Sequence, residues 1–293
     1  MARKVIVSLL PGATEMVAAI GGAGLLAAVS HECDWPPDVR TLPRVTVTPI
    51  DATQSSAAID RAVREAVAAG KAVIGIDADL LAAIRPDLII TQQLCDVCAV
   101  ADGEAVRLAR VMAEPPEVLV LSGTTLGGVW NDIRAIGRAI GREGAADAVA
   151  AELDRRVREL SSAAVARRPR VVVIEWLDPL FLAGHWVPEM VAAAGGIDVG
   201  AQPGDHSTIR RWDDVMALDP DAIVIALCGF DEARARRELD SLADQRAREW
   251  LRTRPTIVID GNAYTSRPGP RLVEGIALMA AAFRSTATRS SPA

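Results

Sequence analysis

The groups best equipped for chemistry in this chain are its four cysteines and three histidines. Cys95-Asp-Val-Cys98 has the spacing of a soft-metal site, a redox pair or a thiolate contact to a cofactor. His31 and Cys33 stand in another strand-end loop, and would complete a four-ligand zinc or iron–sulfur set if the two loops met. A single Cys-x-x-Cys is also what two buried free thiols look like. It follows a strand here, without the flanking Trp and Gly-Pro of a thioredoxin-type helix. His31, His185 and His206 all fall in expected loops, where a neutral imidazole could reach the metal of a bound cofactor. Trp35, Trp176 and Trp186 also stand at strand ends. They read as apolar walls for a large flat ligand, with core packing as the alternative. Trp130, Trp212 and Trp250 fall inside helical patterns and read as packing.

The signatures of common enzyme classes do not occur. No G-x-S-x-G elbow, Walker A loop or G-x-G-x-x-G after the first strand is found. Ser8-Leu-Leu-Pro-Gly12 opens a helix N-terminus able to accept an anionic or amide group, which is a binding feature. The residues therefore favour a binding protein over an enzyme. The alternative is a cytoplasmic metal-dependent or redox enzyme built on His31, Cys33, Cys95 and Cys98.

The elements that must hold these groups alternate strand and helix. Apolar, β-branched runs at Lys4–Leu10, Asp87–Thr91, Val118–Leu121, Arg170–Trp176, Ala222–Leu227 and Thr256–Asp260 read as strands, with amphipathic helices between them. This pattern predicts an α/β fold with mainly parallel sheets. Helical periodicity runs through 126–166, with Val129, Ile133, Ile136 and Ile140 followed by Val149, Leu153, Val157 and Leu160; Gly141 and Gly144 are points of bending. Asp231–Leu251 reads as one charged helix. Short helix, proline turn and buried strand recur at Asp79–Ile90 and Trp212–Ile225, so the halves echo each other. The organisation expected is a lobe at 1–125, a linking helix at 126–166 and a second lobe at 167–288, with the ligand between lobes.

Composition bounds the partners. The chain has 293 residues, 50% hydrophobic and 24% charged, which excludes a disordered chain. A net charge of -6 leaves no electrostatic footprint for nucleic acid. The uncharged stretch Met16–Ser30 is shorter than the ~18 residues of a membrane span, so no membrane insertion is expected. The first apolar run stops at Pro11-Gly12, before the roughly 7–15 residues of an export signal. The sequence as it stands is thus expected to be cytoplasmic, and periplasmic or at the cell surface if a leader precedes it.

Four segments resemble a known family: Ser8-Leu-Leu-Pro-Gly-Ala-Thr-Glu15, Val29-Ser-His-Glu-Cys-Asp-Trp-Pro-Pro37, Ile84-Arg-Pro-Asp-Leu-Ile-Ile-Thr91 and Pro268-Gly-Pro-Arg271. They are similar to the cobalamin and iron-siderophore substrate-binding proteins of ABC importers, the class III binding proteins, and most of all to a cobalamin-binding branch. The resemblance runs from Val5 to about Phe283. It implies two Rossmann-like lobes on a rigid backbone helix, with cobalamin or another corrinoid as ligand and a haem or siderophore as alternative. It implies an ABC permease as partner if the protein is exported. Carried over residue by residue, it places Trp35, Gln92, Trp176, Asp178, Tyr264 and Arg267 around the cleft. His31, Cys95, His185, Trp186 and His206 join them from the loop reading. Asp79 and Glu189 become candidates for the acidic pair that docks on a permease.

Overall fold

The computed structural model describes residues 4–93, 102–162 and 167–289. The first lobe runs β1 (Ile6–Ser8), α1 (Pro11–Ala19), β2 (Leu26–Val29), β3 (Thr46–Val47), α2 (Ser56–Ala68), β4 (Gly75–Ile76), α3 (Ala78–Ile84), β5 (Leu88–Gln92), α4 (Asp102–Val111) and β6 (Glu117–Leu121). β2, β1, β5 and β6 form one parallel sheet in that order. Helices cover both faces of such a sheet, so its strands are continuous apolar runs. Leu88, Ile89 and Ile90 are accordingly all fully buried. Each βα turn uses local chemistry: Pro11 sits in the first turn of α1, where its missing N–H costs nothing. The side chains of Ser55 and Asp77 accept from Ala58 N and Leu80 N to cap α2 and α3.

The second lobe runs β7 (Arg170–Leu177), β8 (Leu180–Leu182), α7 (Val187–Ala193), β9 (Ile197–Asp198), β10 (Thr208–Ile209), α8 (Trp212–Ala217), β11 (Ala222–Ile225), α9 (Glu232–Ser241), α10 (Gln245–Arg252), β12 (Thr256–Val258), α11 (Gly261–Tyr264) and α12 (Leu272–Arg289), after α5 (Leu126–Ala139) and α6 (Glu143–Ser162). Its sheet order is β10-β8-β7-β11-β12, with β9 beside β7. β7, β11 and β12 are parallel, while β8 and β10 are antiparallel. The parallel strands of both lobes end toward the segments singled out from the sequence. The single charged helix expected over Asp231–Leu251 is two, because Asp244 caps a new start by accepting from Ala247 N.

In place of one linking helix over 126–166, α5 and α6 pack on each other as a helical hairpin. Gly141 turns the chain at φ +68, a conformation that strains any residue with a Cβ. Gly137 lets the helices touch, since a Cβ there would lie 2.3 Å from Ala146 Cβ. α5 packs on α1 and β6, and α6 on α7 and α12. One buried cluster runs from Ile6 and Ile20 through Trp130, Ile133, Ile136, Ala150 and Leu153 to Val171 and Phe283. The lobes thus share a core through the hairpin, and a packed core resists hinge bending. Among the described residues no helix is long and apolar enough to cross a membrane.

Candidate functional site

The seam between the lobes is built from two pins and the loops between them. At the first pin, α1 meets the turn after α11. Gly12 allows this contact, because a Cβ there would lie 2.2 Å from Pro268 O. Beside it, Arg267 is 7% exposed and reaches across the seam. Its guanidinium donates to Asp34 Oδ1, to Glu32 O at 3.1 Å, to Asn262 Oδ1 at 2.8 Å and, at 3.4 Å, to Glu15 Oε1. The short contact is the one to Asp34, whose carboxyl stays below the usual range against its burial because Arg267 is bonded to it. Glu15 is served worse. It is 3% exposed, Arg271 lies 3.6 Å away, and its Oε2 has no partner among the described residues. Burial outweighs both arginines and pushes its pKa up to about 7.

Arg271 continues the pin as a stack. Its guanidinium carbon lies 4.7 Å from the Trp35 ring centre and 5.0 Å from that of Tyr264. A cavity of about 230 Å³ lies here, lined by Glu15, Trp35, Pro36, Pro270 and Arg271 among others. Trp35 is 44% exposed.

The second pin lies where α2 meets the second lobe. Ser56 N and Oγ both donate to Glu238 Oε2, at 3.1 and 2.9 Å. Arg234 donates to Gln54 O at 2.7 Å. The same guanidinium sits 3.5 Å over the Phe230 ring, which meets Trp176 edge-on at 5.3 Å. Each pin therefore carries an aromatic–guanidinium stack, the first Trp35–Arg271–Tyr264 and the second Trp176–Phe230–Arg234.

The remaining candidates divide between the seam and the core. His185, at φ +54, is held by its N–H on Asp205 O at 2.6 Å. Its ring packs against Trp186 and His206, and its Nε2 is buried without a partner among the described residues. Burial, then His206, lowers its pKa and favours the neutral imidazole. Trp186 is 5% exposed and donates from Nε1 to Thr265 O at 2.8 Å, so its ring is part of the second lobe's interior. Gln92 ends β5, with Oε1 buried and unpartnered among the described residues. Asp178 is exposed in the turn between β7 and β8.

The metal set does not assemble from its described half. His31 Nδ1 pairs with Thr46 Oγ1 at 2.6 Å, and Cys33 Sγ with Thr14 Oγ1 at 3.1 Å. Cys33 is 1% exposed, and burial pushes its thiol up to about 11, away from the thiolate a metal needs. Among the described residues no group of three or more His, Cys, Asp or Glu is placed to hold a metal, so zinc or iron–sulfur has no support there. Cys95 and Cys98 lie outside the described residues.

Of the two docking acids, Asp79 is exposed in the first turn of α3. Glu189 is half-buried, and its carboxylate accepts from Leu126 N at 2.6 Å, where it complements the N-terminus of α5. Reasoning from residue types did not single out Glu15, Asp34, Asn262, Arg234, Arg271 or Glu238. Glu15, Asp34 and Arg271 stand inside the segments that carry the family resemblance.

Comparisons with known proteins agree with this architecture. Residues 6–253 match a family model described as periplasmic binding protein. That description lends no support to a cytoplasmic placement. A comparison with curated proteins finds no match. Among solved structures, the chain is similar to the apo periplasmic heme-binding protein RhuT of Roseiflexus sp. RS-1 (21% identity, 98% of this chain and 100% of that one, TM-score 0.71). It is similar to the periplasmic vitamin B12 binding protein BtuF of Vibrio cholerae (18% identity, 98% of each chain, TM-score 0.70). A third is the ABC-type Fe3+-hydroxamate transport system structure from Saccharomonospora viridis (19% identity, 96% and 93% covered, TM-score 0.70). Likenesses at this identity speak for the fold alone, and they span three ligand chemistries on one architecture. With two parallel-sheet lobes pinned across a seam and the family model covering residues 6–253, the chain belongs to the periplasmic binding protein family.

Proposed function

We propose that the protein binds a corrinoid between its lobes and presents it to an ABC permease, with Asp79 on the docking face. The observation that carries this reading is the pair of aromatic–guanidinium clusters, Trp35–Arg271–Tyr264 and Trp176–Phe230–Arg234, one at each pin, with Trp35 exposed, Trp176 half-buried and Phe230 buried. Such rings offer wide apolar area to a broad macrocycle. Its peripheral amides suit a seam whose most buried arginine, Arg267, is already held by acids. Arg267 is committed to Asp34, Glu15 and Asn262, and so leaves little positive charge for the carboxylates of a haem or an anionic siderophore. Glu15 Oε2 and Gln92 Oε1 are acceptors of the kind an amide N–H₂ would satisfy.

One observation favours a second reading, haem. His185 offers an imidazole that burial favours as neutral, with an Nε2 unpartnered among the described residues, the form that ligates iron.

Titration of the purified protein with dicyanocobinamide, cyanocobalamin, haemin and a ferric hydroxamate separates these readings. Saturable quenching of Trp emission is expected with a corrinoid, and weakened in Trp176→Ala. Saturation by haemin alone, with a shifted haem absorbance that His185→Ala abolishes, would overturn the corrinoid reading in favour of the second.

A further inference from the structure

We propose that residues 48–73 are a hinged lid, latched to the second lobe by Glu238 and Arg234, and that ligand enters by its release. The proposal rests on the corrinoid reading only for the identity of the cargo.

The segment is built as a stem and a head. The stem is the two-stranded ribbon of β3 and β4, with Thr46 opposite Ile76 and Val47 opposite Gly75. It is fastened to the first lobe by Val45 N on Val29 O at 3.0 Å, and closed above by Thr48 Oγ1 on Val73 O at 2.8 Å. The head is α2, and it is tied weakly to its own lobe. Ser56 is the one buried residue of α2, and Val67 is 55% exposed. The packing of α2 is with the other lobe. It touches β7, and Ile59 joins the buried cluster of the second lobe alongside Trp176. The chain leaves the head at Gly70, with φ +65 and open space around the position, which suits a pivot.

The latch is short and polar. It consists of the two Ser56 bonds to one Glu238 oxygen and the Arg234 bond to Gln54 O. Few buried apolar contacts are the mark of a unit that opens below the global unfolding energy, and the latch adds three hydrogen bonds, two part-buried at Ser56 and one exposed at Arg234. Ile59 packs against the same second-lobe cluster as Trp176, and α2 touches β7, the strand that carries Trp176. The cavity at Trp35, about 230 Å³, is below the roughly 300–1,000 Å³ of a small-molecule pocket and far below a macrocycle. Head and cargo compete for one surface, so the head must leave for the cargo to stack. The α5–α6 hairpin meanwhile keeps the lobes in register.

Hydrogen exchange read by mass spectrometry, with stopped-flow Trp quenching by dicyanocobinamide, tests this in the wild type, Glu238→Ala and Ser56→Ala. Alanine favours the helix that carries Glu238, so that variant retains its fold. Amides of 56–68 are expected to exchange as a unit, faster than those of 126–139. Glu238→Ala is expected to speed them about tenfold, Ser56→Ala less, with β7 and β11 unchanged. The association rate of the cobinamide is expected to rise by a similar factor. Exchange in 56–68 as slow as in 126–139 and indifferent to Glu238→Ala would overturn the lid. Faster exchange with an unchanged association rate would overturn its role as a gate. Faster exchange with no cobinamide binding at all would leave the lid standing and refute the corrinoid reading.

Discussion

Glu15 is a buried acid whose charge the fold does not favour, and that makes stability depend on pH in an unusual direction. Its folded pKa is about 7 against an ordinary 4.5, because burial outweighs two arginines more than 3 Å away. The folded protein therefore binds the Glu15 proton more tightly than the unfolded chain does. That advantage is whole below pH 4.5, shrinks as pH rises, and is gone above the folded pKa. A raised carboxyl thus behaves opposite to the usual ion-paired acid, which loses stability as pH falls. At 1.36 kcal/mol per pKa unit, the ionised side chain costs the fold roughly 3 kcal/mol relative to the protonated one. Against a total of about 5–15 kcal/mol that is a large fraction.

Glu15→Gln keeps the shape and removes the charge, so it mimics the protonated acid at every pH. Urea denaturation of both proteins from pH 4.5 to 8.5 isolates the effect, since every other titrating group cancels in the difference. The variant should match the wild type near pH 4.5. It should gain steadily through pH 5–7, to roughly 3 kcal/mol above pH 8. A difference that stays flat would refute the raised pKa. If the wild type instead pulls ahead as pH rises, Arg267 and Arg271 hold Glu15 ionised, and the argument from unequal distances is wrong.

Two further substitutions test how the seam is built. Gly12→Ala drives a Cβ into Pro268 O, so it should lower the urea midpoint by about 1–3 kcal/mol in stability terms, unless the lobes can shift apart. Trp186→Ala empties a buried indole site and strands Thr265 O, and should cost about 3–5 kcal/mol of stability by thermal or urea unfolding.

Much of the fold was legible because parallel strands buried on both faces leave continuous apolar runs, as in Leu88-Ile-Ile90 and Ala222-Ile-Val-Ile225. The hairpin between the lobes was harder to read. Val129, Ile133 and Ile136 of α5 and Leu153 of α6 enter the same core cluster, with Val149 and Val157 packed against it. The apolar stripe therefore continues through the turn as it would along one helix. Only Gly141, at φ +68, marks the reversal, and a glycine inside a helical pattern does not announce its dihedral angle.

The site was legible by residue type and much less by role. Trp35, Trp176 and Trp186 carry one signal in sequence, an indole at a strand end. They separate only in space: Trp35 lies open beside Arg271, Trp176 meets Phe230 near the lid, and Trp186 is anchored inside by Thr265 O. Arg267 shows the same limit for charge. A lone arginine after a strand invites an anionic ligand, yet this one is committed to Glu15 and Asp34, more than 230 positions away. What a buried arginine can offer a ligand is set by the acids it already holds. In this seam Arg267 is held by Asp34, while Arg271 faces an acid whose ionisation burial disfavours, so the arginine count alone does not decide the charge of the cargo and the aromatic clusters carry the functional reading.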